Sequence, residues 1–183
     1  MRRHQPIAPA IFFLALSSLL QAQSTALDQG VALLREGHFD QALIKLEEAH
    51  RASPRNATIE NLLGITETQL GHPDAAATHY RNSIRLDPAQ ASPHRNLGFN
   101  LLNAKDYAGA EPELREASHL SPADPFAHYY LSLWALGTHH DAEALEQASH
   151  AGELMANDPE AGAGLAEAAI RLGRCLLYTS RCV

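Results

Sequence analysis

Residues 92–124 read SPHRNLGFNLLNAKDYAGAEPELREASHLSPAD. Their apolar and small residues run at helical intervals twice: Leu97, Leu101 and Leu102 recur turn by turn, Lys105 and Asp106 interrupt, and Ala110, Leu114 and Ala117 resume the pattern. The stretch therefore reads as helix, short turn, helix. Gly98 allows the two helices to approach closely, and it is expected to meet the region of Ala110. Pro122 stops the second helix, because proline lacks an amide proton and disfavours helical geometry in the residue before it. Pro112 is expected in the opening turn of its helix, where a missing donor matters little.

The same unit recurs on either side at a fixed step. Ala42, Ala76, Ala110 and Ala144 are spaced by 34 residues, as are Gly30, Gly64 and Gly98, and Pro54, Pro88 and Pro122. Ala49, Ser83, Ala117 and Ala151 keep that step with small residues, while Leu46, Tyr80 and Leu114 keep it with large ones. Several independent columns with one period identify a repeat architecture, in which each hairpin buries its apolar face against the next.

These columns resemble the tetratricopeptide repeat, whose 34-residue unit follows W-x2-L-G-x2-Y, A-x3-F and P. One unit matches as His94, Leu97, Gly98, Leu101, Ala110, Leu114 and Pro122, and the one before it as Glu60, Leu63, Gly64, Glu67, Ala76, Tyr80 and Pro88. Polar residues at the tryptophan and tyrosine places are departures from the family pattern. The resemblance implies an all-α, right-handed superhelix (an α-solenoid) of helix-turn-helix hairpins. Repeats fall at about 23–56, 57–90, 91–124 and 125–159, with a partial fifth at 160–174. Gln29 and Ser132 replace the usual leucine and glycine in the first and fourth units.

Outside the repeats lie two segments of different character. Residues 1–22 have a basic start at Arg2 and Arg3, an apolar stretch from Ile7 to Leu20, and small residues near Ala22. That is the layout of a secretory signal peptide cleaved after Ala22, with a retained N-terminal signal anchor as the alternative. The expected location is secreted or periplasmic. No cysteine stands at the cleavage point, which argues against a lipoprotein anchor. Residues 175–183, CLLYTSRCV, hold both cysteines of the chain. Their codons resemble a transposase mosaic end used in sequencing libraries, followed by its reverse complement and a stop, so residues 175–183 are expected to be a sequencing artefact on a native sequence cut at or near Arg174, with a genuine frayed tail as the alternative. Leu165, Ala169, Ile170 and Leu172 would then lack a partner helix, as expected of a chain truncated near that point.

Composition narrows the function classes. Of the 14 basic residues, removing Arg2, Arg3 and Arg181 leaves 11 against 21 acidic ones, a formal charge of −10 for residues 23–174. Such a surface repels nucleic acid and anionic lipid, so neither nucleic acid nor, beyond the secretory signal, a membrane is an expected partner. Without cysteine before residue 175, thiolate chemistry is excluded from the repeats. The 11 histidines show no pair three or four residues apart and no H-E-x-x-H arrangement, and they are expected on turns and surfaces, with proton-sensitive packing near His94 and His128 as the alternative. Glu47/Glu48 and Glu111/Glu113 read as solvated faces. No nucleophile elbow or phosphate loop is present. No catalytic residue, metal or cofactor is expected. Asn56-Ala57-Thr58 fits a glycosylation acceptor.

Binding residues are expected on the first helix of each hairpin. Leu63, Leu97, Leu101 and Leu131 form the stripe facing the partner helix. A second stripe at i, i+4, i+7 comprises Leu27, Val31, Leu34; Asn61, Ile65, Thr68; Arg95, Phe99, Leu102; and Tyr129, Leu133, Leu136. Resemblance to the family implies that this second stripe faces a groove for extended or helical peptides. Phe126 adds to it, and Arg95, Asn61 and Asn96 are the expected bonds to a peptide backbone. Burial of the same residues between successive hairpins, or under a missing C-terminal part, is the alternative. Lysine and arginine are absent from the places where chaperone-tail carboxylates are clamped, so an apolar or aromatic protein or peptide segment is the expected partner. A second reading makes the repeats the N-terminal arm of a larger exported enzyme or envelope-assembly factor.

Overall fold

The computed structural model describes residues 26–156. The signal-peptide segment 1–22, the fifth unit at 160–174 and the tail at 175–183 lie outside the described residues. Within them, α1 is described over 26–35 and is followed by α2 (Phe39–Ala52), α3 (Ala57–Gln69), α4 (Pro73–Leu86), α5 (Ala91–Asn103), α6 (Tyr107–Leu120), α7 (Pro125–Gly137) and α8 (Asp141–Ala156). No strand occurs among the described residues. The expected hairpins are therefore present, two in a compact unit ending at Leu86 and two in a unit beginning at Asp87.

Each hairpin turns by the same device. Gly37, Gly71, Lys105 and His139, again 34 apart, all have positive φ, between 61° and 81°. The next amide reaches back to a carbonyl five residues earlier: His38 to Leu33, His72 to Glu67, Asp106 to Leu101 and His140 to Ala135, at 2.8–2.9 Å. This left-handed cap satisfies carbonyls that the helix end would otherwise leave orphaned. Only two of the four positions are the glycine that such a φ favours.

Side-chain caps start α3, α6 and α7. Asn56 Oδ1 accepts from the amides of Thr58 and Ile59, at 2.9 and 3.2 Å, so its side chain is already committed to opening α3. Asp106 accepts from the Gly109 amide and opens α6 at Tyr107. Pro112 is consequently the sixth helical residue, not part of the opening turn as expected. Its absent amide removes the donor that the carbonyl of Ala108, an exposed residue, would otherwise meet within the helix.

In the unit ending at Leu86, Ala26, Leu46, Ala49, Ile59 and Leu63 form the core; in the unit beginning at Asp87, Ala110, Leu114, Leu131, Trp134, Ala135 and Ala144 do so. The glycine column has a different partner from the one expected. A Cβ on Gly98 would stand 2.5 Å from Leu114 Cδ2, one on Gly64 2.5 Å from Tyr80 Cε1, and one on Gly30 2.8 Å from Leu46 Cδ2. Each glycine thus meets first the large residue sixteen positions on, one turn beyond the alanine column that includes Ala110, because the large side chain leans across the interhelical gap.

A polar link spans each of three hairpins at a separation of nineteen residues. Glu60 meets His79 at 2.8 Å, His94 meets Glu113 at 2.7 Å, and His128 meets Gln147 at 2.8 Å. The second ring nitrogen of His94 donates to the Pro88 carbonyl and that of His128 to the Pro122 carbonyl. The surface expectation therefore fails for His94, which is 8% exposed, and its counterpart in the preceding unit, Glu60, is 4% exposed. Glu113 is not simply solvated, since it closes one of these links. The cause lies at the tryptophan place of the repeat: Glu60, His94 and His128 fill it, and a buried polar group there requires a partner on the second helix.

Candidate functional site

The first helices carry the candidate binding faces, one in each unit. Between α1 and α3 lies an open pocket of about 400 Å³, lined by apolar Leu27, Val31, Ala32 and Leu62 and by Asp28, Arg35 and Thr58. Leu27 and Val31 belong to the expected stripe. Leu62 lines the pocket where Asn61 was expected, and Asn61 itself is 9% exposed. Ile65 is half-buried, and Thr68 donates from Oγ1 to the Gly64 carbonyl while meeting the Tyr80 hydroxyl at 2.9 Å.

The face of α5 and α7 is aromatic. Phe99 of α5 stacks on Tyr130 of α7 with ring centroids 4.6 Å apart and planes at 25°. Phe126 and Tyr129 lie tilted against the same Tyr130 ring, at 6.4 and 5.5 Å. Phe126 and Tyr129 also pack on Ala151 of α8, and Leu102 packs on the core. Leu133 is half-buried. Burial raises the Tyr130 hydroxyl above its ordinary pKa, partly offset by the nearby Arg95, so the ring is neutral at physiological pH.

Charge on this face reduces to one pair. Arg95 is the only lysine or arginine in α5 and α7, and neither helix contains an aspartate or glutamate. From Nη1, Arg95 donates to Asp124 Oδ2; its guanidinium carbon sits 5.7 Å from the Phe126 ring centroid. Nε is directed at Asn96 Oδ1, at 3.4 Å. The other carboxylate oxygen, Asp124 Oδ1, accepts from the Phe126 amide and caps α7. A single carboxylate thus starts one helix and holds the cation of another.

The structure brings Arg95, Asn96, Phe99, Phe126 and Tyr129 into one neighbourhood. Asn61 and Ile65 belong to the other unit. Sequence reasoning missed Tyr130 and Asp124. Tyr130 was recoverable as the i+4 neighbour of Phe126, and Asp124 as a cap residue directly before Pro125. That Asp124 would turn to Arg95 depends on how two hairpins pack, which no local spacing encodes. Among the described residues, no group of three or more His, Cys, Asp or Glu is placed to hold a metal ion. No helix among them is long and apolar enough to cross a membrane.

Comparison with known proteins matches a family model described as tetratricopeptide repeat over residues 27–91 and 61–128. No curated protein matches the chain. Among solved structures, the chain is similar to PilF of Pseudomonas aeruginosa, with 26% identity and a TM-score of 0.72 over 90% of this chain and 71% of that one. It is also similar to MamA from Desulfovibrio magneticus RS-1, with 22% identity and a TM-score of 0.68 over 87% and 96% of the two chains. A third similar structure is the first repeat domain of Spaghetti (RPAP3) bound to the HSP90 peptide SRMEEVD, with 14% identity and a TM-score of 0.63 over 65% and 94%.

Proposed function

Because the chain belongs to the tetratricopeptide repeat family and is a protein–protein interaction module of that type, we propose that it is exported and holds an apolar or aromatic protein segment against its first-helix faces. One observation carries the reading: Phe99, Phe126, Tyr129 and Tyr130 are gathered on α5 and α7 while all four stay only half-buried. Aromatic rings held by one another offer contact area with little ordering left to lose on binding. The open pocket beside Leu27, Val31 and Leu62 offers a second apolar anchor point in the other unit. Binding of this kind needs no bond-making, and the chemistry of the face is that of a receptor rather than a catalyst.

Selection of short peptides from a displayed library against the full chain tests the proposal. Enriched peptides should carry Phe, Tyr, Trp or Leu anchors and lose binding when Phe126 and Tyr129 are changed to alanine. Peptides that bind the doubly substituted protein equally well would place the site elsewhere. Export is tested separately by fractionating cells and reading the mature N-terminus by mass spectrometry. A terminus after Ala22 supports it, and an intact cytoplasmic chain rejects it.

A further inference from the structure

We infer that Asp124 sets the charge specificity of the α5–α7 face, cancelling Arg95 and so excluding acidic segments in favour of uncharged apolar or aromatic ones. The inference rests on the binding reading above and narrows its ligand class. Arg95 is the only lysine or arginine of these two helices, and no carboxylate lies within either of them. The nearest balancing charge is Asp124, immediately before α7, and it is spent on Arg95. The pair is three-quarters or more withdrawn from solvent, at 24% and 13% side-chain exposure, so a ligand carboxylate reaching Arg95 would face Asp124 at close range. Displacing Asp124 is also opposed by its second oxygen, which holds the Phe126 amide and fixes the start of α7.

This arrangement separates two properties that one carboxylate provides. The cap needs only an oxygen acceptor, which asparagine supplies as well as aspartate. Arg95 needs the negative charge. Asp124→Asn therefore keeps α7 capped and leaves a cation beside Phe126 without its counter-charge, ready to take an acidic ligand.

The test uses fluorescent SRMEEVD as an acidic probe and the same heptapeptide with its glutamates and aspartate replaced by their amides as the control. Both are titrated into the full-length chain, Asp124→Asn, and Asp124→Asn combined with Arg95→Gln, after circular dichroism has shown each to be folded. The native chain should bind the acidic probe no better than the control. Asp124→Asn should prefer the acidic probe by about tenfold or more, as expected for a charge-assisted hydrogen bond, and lose that preference with added salt and with Arg95→Gln. Tight binding of the acidic probe to the native chain overturns the inference. So does a folded Asp124→Asn protein that gains no acidic preference. If that protein still binds uncharged aromatic peptides from the library, the charge inference alone falls; if no variant binds any peptide, the groove reading falls with it.

Discussion

His94 on α5 and Glu113 on α6 close a 2.7 Å hydrogen bond nineteen residues apart, while the opposite ring nitrogen of His94 meets the carbonyl of Pro88. Both partners can only accept, so the arrangement is complete when His94 carries two protons. Its consequence is a dependence of stability on pH.

The hydrogen bond that His94 donates to Glu113 holds its pKa above the ordinary value of 6.5, against the opposing effect of burial and with smaller help from the charge of Glu113, the Pro88 carbonyl and Glu116. A raised folded-state value gives stability that is fully present below the unfolded value and is lost as pH rises through the folded one. The chain should therefore melt at a lower temperature at pH 8 than at pH 6. Glu113→Gln should shrink that difference, as read by circular dichroism melts of both proteins at the two pH values. An unchanged difference would assign the dependence to other groups.

Gly98→Ala should destabilise by about 1–3 kcal/mol through overpacking, even though alanine is the better helix former. The added methyl would lie 2.5 Å from Leu114 Cδ2, and Leu114 is fully buried. Trimming Leu114 to alanine in the same protein removes the obstacle, so the double variant should be more stable than the sum of the two single effects. Urea unfolding of the four proteins measures this coupling directly.

Lys105→Gly should stabilise by about 1 kcal/mol, since a side chain at φ 61° carries left-handed strain that glycine does not. The converse substitution is Gly71→Ala, at φ 81°, where a Cβ would meet nothing within 4 Å. It should destabilise through the backbone alone. Denaturant midpoints of both variants should move in opposite directions.

Asn56→Ala should lower stability by about 1 kcal/mol, while Asn56→Asp should leave it nearly unchanged, because the position needs an oxygen for the Thr58 and Ile59 amides. Thermal melts of the two variants distinguish this capping role from a position valued only as a glycan acceptor.

Phe99→Ala removes a ring stack worth about 0.5–1.5 kcal/mol beyond its buried area and should leave the chain folded, as should Tyr129→Ala. Both should weaken capture of library-selected peptides. Loss of cooperative unfolding in either variant would make the ring a core residue instead.

The repeat and its hairpins were legible in the sequence because they depend on local periodicity. A 34-residue step in alanine, glycine and proline, together with helical spacing inside each step, is sufficient to define two helices and a turn. Tertiary structure decided which groups meet across a hairpin or between hairpins. Gly98 faces Leu114, His94 is withdrawn from the surface by Glu113, and Arg95 is taken up by Asp124. Those pairings join residues sixteen to twenty-nine positions apart, and they follow from the reach of individual side chains across the packed interface. Periodicity assigns a residue to a face of its helix; only packing determines what that face meets.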